Sequence, residues 1–195
     1  MTGDAFEIIK RMDMRTAETQ LILRCAPFLV GLKTSNLLIV GKDQADRAGK
    51  LLEHTKFHCF FLYEGQTKAV LLLYSDSLPE DFFHRQDVRQ ILYRQGYPDC
   101  SLPTLLEIFA ERYRSYMQDG IRFPHEMGLF LGYPPEDVAG FIANQGKNCL
   151  YEGYWKVYAH PLEKMRLFQK FDQAKENLLR LAAKGAGMSE LLADI

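Results

Sequence analysis

Apolar positions along the chain follow two rhythms. Over residues 57–75, FHCFFLYEG and KAVLLLYS are β-rich runs joined around Gly65-Gln66-Thr67, the clearest hairpin signal in the sequence. VLLLY is almost continuously apolar, as a strand covered on both faces must be, so it is expected at the centre of a sheet. NLLIV at 36–40 reads as another buried strand. Between the two, Asp43 is expected to cap a helix through about His54, with Ala45, Ala48, Leu51 and Leu52 on its apolar side. If the first strand pairs parallel to a hairpin strand, that helix becomes a right-handed crossover.

Helical spacing governs the rest. TAETQLILR (16–24) reads as a helix with Thr16 as N-cap, ending or bending at Cys25-Ala26-Pro27 because a proline ring disfavours helical geometry just before it. Ser77-Leu78-Pro79-Glu80 has capping-box spacing and opens a helix expected to end at Gly96. Ser101 and Pro103 open another, with Leu102, Leu105, Leu106, Phe109, Tyr113 and Tyr116 as its core stripe. In FPHEMGLFLGYPPEDVAGFI (123–142), Pro124 interrupts any preceding helix, and HEMGLFLGY is expected to be short and extended. Pro134 and Pro135 then pre-set a helical turn whose start is complemented by Glu136 and Asp137, with Val138, Phe141 and Ile142 as its anchors and Gly146 as its end. GYWKVYA (153–159) alternates like a strand, and Pro161 starts a helix to about Lys184 with Leu162, Met165, Phe168, Phe171, Ala174, Leu178 and Leu181 along one side.

These elements predict an α/β (α+β) fold: one globular domain over residues 1–184 with a mixed sheet of about four to five strands flanked by helices. GAGMSELLADI (185–195) is expected to be a flexible tail, its Leu191, Leu192 and Ile195 being the residues able to dock.

Composition narrows the partners. Lys and Arg number 24 against 25 Asp and Glu, leaving no net field to recruit nucleic acid or an anionic membrane. No run reaches the roughly 18 apolar residues a membrane span requires, and the first residues lack the apolar core of a secretory signal. The cysteines at 25, 59, 100 and 149 form no Cys-x-x-Cys pair, so no metal site is expected, and free thiols point to a reducing cytoplasm.

The candidate chemistry centres on His125-Glu126. HEMGL lacks the second histidine that a zinc protease motif needs four residues on, where Leu129 stands. FPHEMGLFLGYPPEDVAGFI, GYWKVY and the earlier CAPFLVGLKTSNLL together resemble the signature blocks of the domain of unknown function 3793 family, found mainly in anaerobic bacteria, over roughly residues 15–175. In that family the early block more often reads Cys-Ala-Pro-Thr and Lys-Pro-Ala-Asn; here Phe28 replaces the threonine and Thr34-Ser35 the Pro-Ala pair. The resemblance directs attention to Cys25, Lys33, Asn36, His125 and Glu126, brings no established activity, and implies a context near flavodoxins and ferrous-iron transport.

Three readings follow. The first is a site for a small ligand, cofactor or partner formed by the 25–36 loop and the FPHE segment, with Lys33, Asn36, Tyr133, Trp155 and Lys156 as ligand-binding residues and the cofactor unspecified. The second is a thiol hydrolase or transferase with Cys25 as nucleophile, His125 as base and Glu126 or Asn36 orienting the imidazole. The third is an interaction module of an iron- or flavodoxin-linked redox system, meeting an acidic redox protein through the basic face of the last helix at Lys164, Arg166, Lys170, Lys175, Arg180 and Lys184. The first two require the 25–36 loop and the FPHE segment to meet.

Overall fold

The computed structural model describes residues 3–76, 78, 80–120 and 122–193. In chain order its elements are α1 (Gly3–Arg11), α2 (Ala17–Leu29), β1 (Ser35–Gly41), a 3-10 turn (Lys42–Gln44), α3 (Ala45–Leu52), β2 (Phe57–Glu64), β3 (Lys68–Ser75), α4 (Glu80–His84), α5 (Gln86–Arg94) and α6 (Leu102–Asp119). There follow α7 (Met127–Phe130), α8 (Pro135–Asn144), β4 (Tyr151–Glu152), β5 (Lys156–Val157), α9 (Pro161–Ala183) and α10 (Met188–Ala193). Helix and sheet are mixed, as an α+β protein requires. The chain divides into two compact units, Met1–Asp76 with Leu167–Ile195, and Ser77–Arg166.

In the first unit the strands lie in the order β1-β3-β2. The apolar run of β3 is central, as its sequence demands, and Leu71, Leu72 and Leu73 are each no more than 1% exposed. β2 and β3 form the expected hairpin, with a register shift between Phe61 and Tyr63. β1 pairs with β3 antiparallel, Leu38 opposite Leu71. The parallel pairing considered from sequence therefore does not occur: β3 inserts between β1 and β2, which makes β1, α3 and β2 a split β-α-β arrangement. Side chains alternate across the sheet, so Leu38, Val40, Ala69, Leu71, Leu73 and Phe57 share one core with α2 residues Leu21, Ile22, Cys25 and Phe28. Leu178 and Leu179 of α9 and Met188 and Leu191 of α10 belong to the same cluster.

Thr16 caps α2 as expected, accepting from the Thr19 amide at 3.3 Å. The helix does not stop at Pro27 but runs to Leu29. Pro27 removes one amide donor, yet its own carbonyl accepts from the amides of Leu32 and Lys33 at 2.8 and 3.1 Å, closing the helix end. Asp43 lies in the 3-10 turn, and α3 starts two residues later without a side-chain cap.

In the second unit Phe130 is the hub: it stacks on Phe109 at 4.5 Å and 8° and meets Phe83 and Tyr97 at 5.4 and 5.9 Å. The α6 stripe is core through Leu105, Leu106, Phe109 and Tyr113. The helix expected to open at the Ser77 capping box and end at Gly96 is, among the described residues, two helices, broken at Arg85, which is extended (ψ 140°) and pairs with Asp87; Gly96 closes the second with a positive φ of 82°. Ser77 and Pro79 of the capping box lie outside the described residues.

Among the described residues the sheets have three and two strands, not a single sheet of four to five. HEMGLFLGY is not extended: Met127–Phe130 is a helical turn. A run as uniformly apolar as Met127 to Leu131 holds no true alternation, and a helical turn buries Leu129, Phe130 and Leu131 in succession. The alternation in GYWKVYA produces only β5, paired with β4 as a short hairpin. Within α9, Phe168, Phe171, Ala174 and Leu178 are buried, whereas Leu162 and Leu181 are 71% and 46% exposed.

Candidate ligand-binding site

The segments 123–141 and 152–156 enclose a cavity of about 300 Å3 in the second unit. Its wall includes Phe123, His125, Met127, Phe141, Tyr154 and Trp155. Two glycines permit the close packing that shapes it. A Cβ on Gly140 would sit 2.4 Å from Tyr158 Cβ, and one on Gly128 would sit 2.7 Å from Val138 Cγ2. The β4-β5 hairpin therefore lies directly on α8, and α7 approaches it as closely.

Asp137 locks the hairpin in place. Its carboxylate is 2% exposed; Oδ2 accepts from Trp155 Nε1 at 2.8 Å, and Oδ1 accepts from the amides of Tyr158 and Ala159 at 2.7 and 3.0 Å. Trp155, the single tryptophan of the chain, is stacked on Tyr133 at 4.7 Å and 26°. Lys156 Nζ donates to the Gly146 carbonyl at 2.8 Å.

The His125 ring lies between Phe123 and Phe141, with centroids at 5.4 and 5.2 Å. Its Nδ1 is buried and makes no hydrogen bond; among the described residues Ser35 Oγ is the other buried side-chain polar atom in that condition. Burial, and next the nearby Arg122 charge, hold its pKa below the usual imidazole range. The ring is then neutral at neutral pH.

Glu126, although adjacent in sequence, faces a different environment. It is 1% exposed, accepts from Tyr97 Oη at 3.1 Å, and pairs with Arg112 Nη1 at 3.4 Å. Arg112 also lies over the Tyr97 ring at 4.7 Å and donates through Nη2 to the Gln95 carbonyl. Burial, followed by the Glu126 charge, pushes the Tyr97 hydroxyl well above the usual phenol range. Glu126 thus ties the start of α7 to α6 and to the loop that follows α5.

In the first unit Cys25, Lys33 and Asn36 do come together. The Asn36 amide donates to Cys25 Sγ at 3.2 Å and to the Arg24 and Leu37 carbonyls at 3.1 and 2.9 Å, while its Oδ1 accepts from Lys33 Nζ at 2.8 Å. Cys25 is 0% exposed, and burial pushes its thiol up to about 12. Burial likewise moves Lys33 down to about 8. With a thiol at that value, roughly one molecule in a hundred thousand carries a thiolate at neutral pH. A short pulse of N-ethylmaleimide on the native protein is therefore expected to label the partly exposed Cys100 and Cys149 and spare Cys25, which labels only after denaturation; peptide mass spectrometry reads the result. Early labelling of Cys25 would show a reactive thiol instead.

Within the first unit Cys25, Lys33 and Asn36 form a cluster, and within the second His125, Tyr133, Trp155 and Lys156 line the cavity. Sequence reasoning did not single out Tyr97 or Arg112, and it read Asp137 as a helix-start charge. The pairing of Asp137 with Trp155 spans 18 positions and leaves no local signal.

Among the described residues no group of three or more His, Cys, Asp or Glu side chains could hold a metal ion, and no helix is long and apolar enough to cross a membrane. Fold and cavity define a mixed helix-and-sheet protein whose second unit carries an aromatic-walled pocket. The family described as "Protein of unknown function (DUF3793)" matches residues 21–192, and the chain belongs to that family. Comparisons with curated proteins and with solved structures find no match.

Proposed function

We propose that the protein binds a small, flat, largely apolar molecule in the cavity of the second unit, with the His125 imidazole as the polar contact that orients it. The observation that carries this reading is an aromatic-walled pocket with the His125 imidazole in its lining. Ligand sites generally combine apolar walls with a few placed polar groups, and a volume of about 300 Å3 suits a one- or two-ring molecule. Thiol catalysis has less support, because Cys25 is sealed and Glu126 is committed to Tyr97 and Arg112.

Trp155 provides the assay. Titration with benzimidazole, a flat bicycle with an N–H donor, is expected to shift or quench its emission saturably. His125→Phe keeps the ring volume but removes the acceptor, and is expected to weaken the response on the order of tenfold, the worth of one hydrogen bond of about 1.4 kcal/mol. A flat titration curve in the wild type, or equal affinity in both proteins, counts against the reading.

A further inference from the structure

We infer that the ligand of this cavity carries an anionic group, a phosphate or comparable oxyanion, and that Arg94, Arg112 and Arg122 receive it; the inference rests on the binding reading above. These three arginines line one depression of about 450 Å3 in the second unit, together with Ser115 and Phe123. Phe123 also walls the aromatic cavity, so the two hollows share a side chain.

The charges of the depression are not balanced. Its carboxylates are Glu111 and Glu126, against three guanidinium groups. Glu126 is turned inward on Tyr97 Oη and Arg112 Nη1. Arg94 and Arg122 are exposed, and their side chains make no hydrogen bond or ion pair with any described residue. Arg112 is the fixed member: two of its nitrogens are held by Glu126 and the Gln95 carbonyl, and its guanidinium carbon lies over the Tyr97 ring. A guanidinium has five N–H donors in a rigid fork, so Arg112 retains donors beyond those two contacts. One guanidinium held in place and two exposed ones beside it suit an oxyanion, which accepts several charge-assisted hydrogen bonds at once. Arg122 stands three positions before His125 in the chain, and its charge helps, after burial, to hold the imidazole pKa low. A ligand whose ring enters the aromatic cavity and whose anion reaches the arginines would pass over Phe123.

The test compares phenyl phosphate with phenol, which share a ring and differ in the anion, using Trp155 emission in the wild type and in an Arg94→Gln/Arg122→Gln double variant. Both substitutions are at exposed positions with no side-chain partner among the described residues, so the variant is expected to fold. Phenyl phosphate is expected to act at a concentration on the order of tenfold lower than phenol in the wild type, and the advantage is expected to vanish in the variant, with phenol unchanged. Equal potency of the two probes in the wild type, or an advantage that survives in the variant, overturns the inference. A second arm separates it from the cavity reading: inorganic pyrophosphate is titrated alone and followed by thermal unfolding. If neither ring probe moves Trp155, the cavity reading fails. The arginine site then stands only if pyrophosphate raises the melting temperature of the wild type and not of the variant, and it falls if pyrophosphate raises neither or both.

Discussion

Replacing Asp137 with alanine is expected to cost the second unit about 3–5 kcal/mol and to release the β4-β5 hairpin from α8. The carboxylate is nearly sealed from water and serves three donors: the Trp155 indole and the amides of Tyr158 and Ala159. Alanine leaves all three facing a hole, and each buried donor without a partner forfeits about 1–3 kcal/mol, less what water entering the gap restores. Asparagine is a sharper probe. Its oxygen can serve the two amides, but its NH2 then faces the indole N–H, donor against donor, so a loss of roughly 2–3 kcal/mol is expected. Denaturant unfolding monitored at Trp155 reads both effects, since that side chain is the group released. The native emission should also move to longer wavelength as the indole meets water. Variants that keep wild-type emission and midpoint would show that the three bonds do not hold the hairpin.

The parts of this fold legible in the sequence are those where the period of burial survives in the side chains themselves. The β2-β3 hairpin shows itself because two β-rich runs flank a glycine turn, and β3 is recognisable as central because a strand covered on both faces has no polar positions. The α6 stripe is equally clear, since Leu105, Phe109 and Tyr113 recur at helical spacing. Short apolar runs are where the reading fails. MGLFL fits a strand or a helical turn equally well until the packing around Phe130 decides for the helix. The strand order also resists local reading, because β3 is inserted between β1 and β2 by pairing preferences that no single segment displays.

The site divides along the same line. Cys25, Lys33 and Asn36 lie within 12 positions on a helix end, a turn and a strand start, so chain proximity alone brings them close, and their contact is real. Their chemistry was harder to foresee: the packing that assembles the cluster also seals the thiol, and sealing raises its pKa to about 12. His125 and Glu126 show the opposite case. Neighbours in sequence, they part at the start of α7, the imidazole toward the aromatic cavity and the carboxylate toward Tyr97 and Arg112. Adjacency suggested a working pair, whereas the structure gives one residue to the pocket and the other to the scaffold.

That division predicts a contrast between two substitutions one residue apart. Glu126→Ala is expected to destabilise the second unit by about 2–4 kcal/mol, because it strips Tyr97 Oη of its acceptor and leaves Arg112 without its counter-charge. The full cost of breaking a sealed ion pair is not expected, since Arg112 is 37% exposed and can turn partly to water. Glu126→Gln retains an acceptor for the tyrosine and loses only the charge, so about 1–2 kcal/mol is expected. His125→Ala, in contrast, removes a ring whose Nδ1 pairs with no described residue, and its cost should come from lost packing against Phe123 and Phe141, about 1 kcal/mol. Unfolding midpoints of the three variants at neutral pH test the order Glu126→Ala, then Glu126→Gln, then His125→Ala or level with it. Were His125→Ala the most damaging, the imidazole would belong to the scaffold, and the pocket would lose the polar group on which its ligand is proposed to turn.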